Sequence, residues 1–448
     1  MTDHRIVWRL VTVALVLFGF SMVQAQVSQA PPPTEKQRAK LLKQIGRHLK
    51  KDAFAYNTDF SVWPQYLAEE EAALVAAKTA GEFTTIMNRA LNRFEISHLF
   101  MLDPQITAGR REGTQFGAGF RTVPMPDRGT RLVNVVFPES PATRAAVQAG
   151  DLIVAVDAED LDPESLDYPF SPGGRLLARP GADRRLQIER NGERVEAVIQ
   201  FADHISYVPA ALDWITADSG EIAWLTVKSF GFPDYKPEEI DAFFAEIHQR
   251  APSGMVLDMR GNGGGRLSYT DHLASYLLDP GTPMVRIFRK DPKVPTGESL
   301  AGVGQVGLQL IDRGELQYRG PLVVLIDRGC GSGGDAFPGL MKQARGATLI
   351  GERTAGALIG ARPMPIAYGY LLIFPVEEHL LPDGTRIEGV GVHPDIVLGP
   401  VNTTNDEKVR DAALAELSRL SNDVSVLDHK SEAATVGDLV QRVLVEND

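Results

Sequence analysis

A serine at the junction of a buried strand and a helix is the residue around which this chain could build chemistry. Pro321 to Asp327 is an apolar run, Arg328-Gly329-Cys330-Gly331-Ser332-Gly333-Gly334-Asp335 is a glycine-dense turn, and Ala336 to Lys342 reads as the start of a helix. At such a junction Ser332 is held exposed, the N–H groups of the helix's first turn point at whatever carbonyl the hydroxyl attacks, and the glycines permit close approach. A serine hydroxyl is a weak nucleophile without a base. Of nine histidines, His48, His248 and His429 lie in charged helical or tail surroundings, whereas His98 follows Ser97 at the end of an apolar helical pattern and precedes Leu99-Phe100. A histidine in such a place is more often a core or capping residue than a base, and the local pattern does not decide between them.

A second glycine turn, Arg260-Gly261-Asn262-Gly263-Gly264-Gly265, also lies between a buried strand and a helix. Its N–H groups could hold an anion or an oxyanion, although a plain strand-to-helix turn explains it equally well. It is not a dinucleotide fingerprint, because Arg266 occupies the place of the third glycine, and the chain has no G-K-[ST] phosphate loop. Two such turns in one core, one bearing a serine, point to acyl transfer through a covalent intermediate. Cys330 has nothing beside it to lower a thiol pKa and reads as a small buried residue. No H-E-x-x-H or paired C-x-x-C spacing exists, so no metal or other cofactor is expected and chelators should not inhibit.

Composition bounds the rest. The chain has 448 residues, 44% hydrophobic and 23% charged, enough for two or three domains with real cores. A net charge of −12 gives no electrostatic footprint for nucleic acid or an anionic membrane, so no nucleic-acid partner is expected. His4, Arg5 and Arg9, the apolar run Leu10 to Met22 and the small-x-small site Val23-Gln24-Ala25 read as a signal peptide over residues 1–25, cleaved after Ala25 with no stable membrane span remaining, the alternative being an uncleaved anchor for which the apolar run is short. One cysteine rules out an internal disulfide, which with the signal fits a periplasmic or otherwise exported protein.

A proline-rich linker, 26–33, precedes a helical block, 34–104, with helices expected from Thr34 through Leu49, near Gln65 to Ala77 and near Gly81 to Phe94. From 105 to 204 the texture becomes short strands and turns, including a hairpin at Asn191-Gly192. The order of strand, Ser140-Pro141-Ala142, short helix, Ala149-Gly150-Asp151-Leu152-Ile153, strand and hairpin resembles a PDZ domain. That resemblance makes Gly117-Ala118-Gly119-Phe120 the loop whose amides hold a peptide's terminal carboxylate, the alternative being a simple strand cap. Strands and helices alternate over 205–400, arguing an α/β core with crossover helices. Residues 401–448 read as a terminal helix, Asp406 to Leu420, and a tail.

Four segments in order, Met255 to Gly265, the Ser332 turn, Leu349-Ile350-Gly351-Glu352-Arg353-Thr354-Ala355-Gly356, and Glu388-Gly389-Val390-Gly391-Val392-His393-Pro394-Asp395, resemble the carboxyl-terminal processing, or tail-specific, serine proteases. The resemblance runs from about Ser97 to Leu398 and implies a multidomain α+β and α/β protein: an N-terminal helical domain, a PDZ-like β domain and a crotonase/ClpP-like protease core. The main branch of that family uses a lysine in a Thr-x-Gly-Lys pattern; here Thr354-Ala355-Gly356 is followed by Ala357, and Lys342 is a poor substitute. The branch similar to the tricorn protease core uses serine, histidine, a second serine and glutamate, which implies Ser332 as nucleophile, His98 as base, and Ser97 and Glu388 as its orienting groups. The oxyanion would then be held by the N–H of Gly333 and that of Gly263 or Gly264. The expected activity is cleavage of peptides or unfolded protein tails, with the oligomeric state left open. Two other readings are a non-catalytic peptide- or lipophile-binding protein on the same scaffold and an esterase of α/β-hydrolase type, for which His379 and His393 follow the serine but whose G-x-S-x-G elbow would need a glycine at Cys330.

Overall fold

The structure is a computed structural model that describes residues 30–104, 107, 115–125, 128–157, 159–160, 183–205, 207–289, 302–306 and 313–422. The expected signal peptide and the end of the tail lie outside the described residues. The chain forms a mixed α/β, multidomain fold built on three large sheets.

The central sheet has six strands in the order Ala211–Ala217, Gly220–Thr226, Gly254–Asp258, Leu322–Ile326, Thr348–Gly351 and Ile396–Val397. The first pair is antiparallel and all later pairs are parallel. Leu322–Ile326 is buried at every position, as the uninterrupted apolar run requires of a strand covered on both faces. Helices Pro237–Arg250, Leu267–Ser275 and Gly333–Arg345 cover one face around Phe244, Leu273, Phe337 and Leu340. Helical backbone over 406–422 covers the other through Val409, Ala413 and Leu417, so the sheet's packing extends past residue 400.

An antiparallel sheet of Phe120–Met125, Thr130–Val136, Leu152–Val156, Asp183–Arg190 and Glu193–Gln200, with Glu159–Asp160 paired to one side, forms a second unit. It encloses its own core of Phe120, Val133, Ile153, Leu186, Ile188 and Ile199. Asn191 and Gly192 both take positive φ, 53° and 83°, as the tight hairpin turn demands. Phe120–Met125 is the terminal strand of this sheet.

The helical block begins with Glu35–Lys51, whose N-terminus is fixed by a Thr34–Gln37 capping box. The stretch expected as one helix from Gln65 to Ala77 is two, Trp63–Glu69 and Glu71–Ala76, followed by Ala80–Asn92. The block does not close its core alone. Leu41, Ile45, Phe83, Met87 and Leu91 pack on Ile359, Tyr370, Leu372 and Phe374 from the far end of the chain, and Phe100–Leu102 pairs antiparallel with Leu371–Leu380 in the third sheet. Residues 34–104 are thereby welded to the region that carries the late catalytic candidates.

Candidate active site

The Ser332 turn is strained and interlocked. Ser332 has φ 55° and ψ −120° at the N-terminus of Gly333–Arg345, a conformation that a side-chain-bearing residue holds only when its surroundings impose it. The imposing contacts come from the second glycine turn. The N–H of Gly331 donates to the carbonyl of Asn262 (3.0 Å), and a Cβ on Gly334 would lie 1.9 Å from that same oxygen. A Cβ on Gly264, at φ +89°, would stand 2.7 Å from the Cβ of Ser332. Asp327 Oδ1 joins the turns by accepting from the N–H groups of Gly261 (2.7 Å) and Gly329 (2.9 Å). The fully buried Asn262 side chain donates to the Val227 carbonyl and accepts from the N–H of Gly264, both at 2.9 Å. The Gly264 N–H is therefore already committed, whereas those of Gly333 and Gly263 have no acceptor among the described residues. Gly264 leaves room for Ser332 by its lack of a side chain, and of the two expected donors Gly263 is the one whose N–H is uncommitted among the described residues.

Residues Thr354 to Ala357, where a Thr-x-Gly-Lys lysine would have followed, form a strut. The N–H of Ser332 donates to the carbonyl of Ala357 (2.9 Å), that of Ala355 to Cys330 (2.8 Å), and that of Gly389 to Gly356 (2.8 Å). Asp335, wholly buried, accepts from the N–H groups of Gly356 (3.0 Å) and Ala357 (2.8 Å), and burial raises its carboxyl to about 6. The strut thus spans from the nucleophile to the Glu388 loop. Lys342 lies apart, paired with Asp395 at 2.5 Å. Cys330 is buried with its thiol toward the Met259 carbonyl (3.0 Å), and burial raises its pKa well above the usual thiol value.

Ser97, His98 and Glu388 come together although 291 positions separate the outer two. The Ser97 N–H donates to Glu388 Oε1 (2.7 Å) and its hydroxyl to Oε2 (2.8 Å), while the same hydroxyl lies 2.7 Å from His98 Nδ1. With the hydroxyl proton on the carboxylate side, the Ser97 oxygen accepts from Nδ1–H, which leaves Nε2 as the basic nitrogen. His98 also has positive φ, 59°. Burial, reinforced by nearby His379, lowers the imidazole to about 3, and burial raises Glu388 to about 7 against the opposing hydrogen bonds from Ser97. The Ser332 hydroxyl and His98 share no hydrogen bond in this form.

Beside Ser332 opens a small apolar cleft whose walls include Leu267, Met284, Val285, Leu340, Leu358 and Ile359, with His379 on one side. The sequence offers His379 only as a histidine following the serine in the esterase reading and gives Asn262, Asp327 and Asp335 no roles; Asp335, three residues after the serine in a glycine turn, is the one with a local signal. In the β-rich unit, Gly117-Ala118-Gly119-Phe120 folds over Ser140-Pro141-Ala142. The Ala142 N–H donates to Ala118 (2.8 Å), the Phe137 N–H donates to Gly119 (2.9 Å), and Phe120 opens the edge strand. That unit touches the second glycine turn directly: Arg121 donates to the Gly261 carbonyl at 3.1 Å.

Comparison with known proteins agrees with this arrangement. Residues 221–398 match the family described as peptidase family S41. Among curated relatives, a carboxy-terminal-processing protease of Bartonella bacilliformis is 25% identical over 70% of this chain and 69% of its own length. A chloroplastic C-terminal processing peptidase of Tetradesmus obliquus is 26% identical over 67% of this chain and 64% of its own length. The matches thus span about two thirds of these relatives. Of solved structures, a photosystem II D1 C-terminal processing protease superposes with a TM-score of 0.57 at 20% identity, covering 82% of this chain and 94% of that one. Mature CPAF complexed with lactacystin gives 0.59 at 15% identity, covering 86% and 99%. Both share the fold.

Proposed function

We propose that this chain, whose residues 221–398 match peptidase family S41, is an exported serine endopeptidase that cleaves peptides or unfolded protein tails through a Ser332 acyl-enzyme, with His98 as general base. The observation that carries the reading is the buried Glu388–Ser97–His98 chain of hydrogen bonds. A buried carboxylate, a hydroxyl and an imidazole drawn from opposite ends of the sequence have no simpler structural purpose.

In this reading Ser332 Oγ attacks the scissile carbonyl while its proton passes to His98 Nε2. An imidazole lowered to about 3 is a poor base alone. Ser97 and the Glu388 carboxylate make the imidazolium tenable, because positive charge on the ring is answered through the Ser97 hydroxyl. The oxyanion is received by the N–H groups of Gly333 and Gly263. Collapse of the tetrahedral intermediate breaks the C–N bond as His98 returns the proton to the leaving amine. Water, deprotonated by the same imidazole, then releases the acyl group and restores the serine. The missing Ser332–His98 hydrogen bond fits a resting enzyme, since catalytic hydrogen bonds commonly tighten only with substrate in place.

The crotonase/ClpP-like reading of the core rests on its parallel sheet and the nucleophile at a strand-to-helix turn. The PDZ-like reading of the β-rich unit rests on its strand order and on the edge strand after Gly117-Ala118-Gly119-Phe120, along which a peptide would add. Among the described residues no helix is long and apolar enough to cross a membrane; export rests on residues 1–25. A fluorophosphonate serine probe tests the activity. Wild-type protein should label at Ser332 and cleave peptides, and Ser332→Ala should do neither; labelling that persists in Ser332→Ala removes the nucleophile assignment.

A further inference from the structure

We infer that His379 is the specificity-determining wall of the pocket beside Ser332, admitting an aliphatic side chain of medium size on the residue whose carbonyl is attacked. The inference rests on the peptidase reading above. Ser332 and His379 face the same cleft, whose other walls include Met284, Val285, Leu340 and Ile359. A side chain of the acyl-donating residue has that cleft beside it when its carbonyl meets the serine.

His379 is held too firmly to be a casual neighbour. Its Nε2 lies 3.1 Å from Glu377 Oε2, and Glu377 Oε1 accepts from Arg289 Nε at 2.6 Å. Glu377 and His379 are two residues apart on Leu371–Leu380 and so share a face, with Arg289 directly across from Glu377 on the neighbouring strand. Glu378, on the opposite face, is taken by Arg386 at 2.7 Å. The other flanking strand, Ile359–Pro365, shifts register between Gly360 and Ala361, a bulge that re-aims its neighbours. A Cβ at Gly360 would stand 2.8 Å from His379 Nε2 and 2.7 Å from the Glu377 Cβ, so the bare glycine is what lets the imidazole sit there. With Nε2 committed to a carboxylate, the ring serves the cleft as a fixed flat wall. An aliphatic residue in its place could rotate away, whereas this ring is anchored through Glu377 to Arg289.

The test uses the full chain and three peptides that differ only in the residue before the cleaved bond: Ala, Leu or Phe. His379→Ala should raise the Phe-to-Leu ratio of kcat/KM by about tenfold or more, mainly through KM, since one methylene of pocket space is worth about 10- to 200-fold. Glu377→Gln, which keeps the shape but loosens the anchor, should move the ratio the same way by a smaller factor, and it carries the test if His379→Ala does not fold. Ratios within twofold of wild type in the folded variants overturn the inference. So does an equal fall of kcat on all three peptides, which would make His379 part of proton transfer. Wild-type protein that cleaves none of the three and does not label at Ser332 defeats the peptidase reading itself, and the inference with it.

Discussion

Two buried histidines of this chain stand beside glutamates, and their surroundings give them opposite characters. His98 reaches Glu388 through the Ser97 hydroxyl, with no cation in the chain of hydrogen bonds. His379 meets Glu377 directly, and Arg289 sits on the same carboxylate. In the first cluster burial raises the glutamate to about 7 and lowers the histidine to about 3, so near neutral pH the ring is uncharged and the carboxyl only partly ionised. In the second, the histidine and arginine contacts outweigh burial and hold Glu377 below its ordinary value, so charge is present at rest. The first environment suits the proposed proton acceptor only because the Glu388 carboxyl, reached through Ser97, can answer the charge the ring gains. A group that must stay still needs the second.

If that difference is real, breaking the first cluster costs turnover and breaking the second costs selectivity. Ser97→Ala, which removes the link between imidazole and carboxylate, should lower kcat by about 10²-fold or more with little change in KM. Steady-state kinetics on one peptide would check it, and a pure KM effect would move Ser97 from the relay to the binding surface. Glu388→Gln should cost less, about tenfold to a hundredfold, and should also change the pH profile. In wild type, lowering pH through about 7 protonates Glu388 and withdraws the counter-charge for the imidazolium, so kcat/KM falls on the acid side. The glutamine variant should lose that limb, and a limb that persists there belongs to another group.

The same carboxyl bears on stability with a definite sign. Its folded-state pKa is raised, so its favourable contribution is complete below the ordinary value of 4.5 and is lost as pH rises through about 7. Between those limits the wild type should lose stability relative to Glu388→Gln, as read from unfolding midpoints at several pH values; midpoints that move in parallel would contradict the raised pKa. The smallest effect is expected from Lys342→Ala. That lysine forms a partly exposed ion pair with Asp395, so activity should remain within about twofold and stability within about 1 kcal/mol. A large loss of turnover would revive serine–lysine chemistry.

Much of the first cluster was legible in the sequence, and almost none of the second. Ser332 announces itself because a buried strand, a glycine turn and a helix are contiguous. Ser97-His98 and Glu388 could be matched as segments of a family pattern, although nothing local says that they meet. Gly263 and Gly264 were indistinguishable as donors, because only the structure shows Asn262 folding back onto the Gly264 N–H. The helical block read as a self-contained domain because its periodicity is sound; its core is completed by Tyr370, Leu372 and Phe374, which no helical pattern can foretell. The place of His379 beside the cleft was illegible for a related reason. Its role arises from Arg289 across a strand pair and from a glycine at a bulge, and pairings between distant strands leave no mark on either strand alone.

The measurement that bears most directly on the account is the acylation burst of Ser332 with an activated ester, compared between His98→Ala and His379→Ala. The account predicts that the burst rate falls by about 10³-fold or more in His98→Ala, while a measurable burst persists in His379→Ala. A burst that survives in His98→Ala and vanishes in His379→Ala would exchange the roles of the two histidines and contradict it.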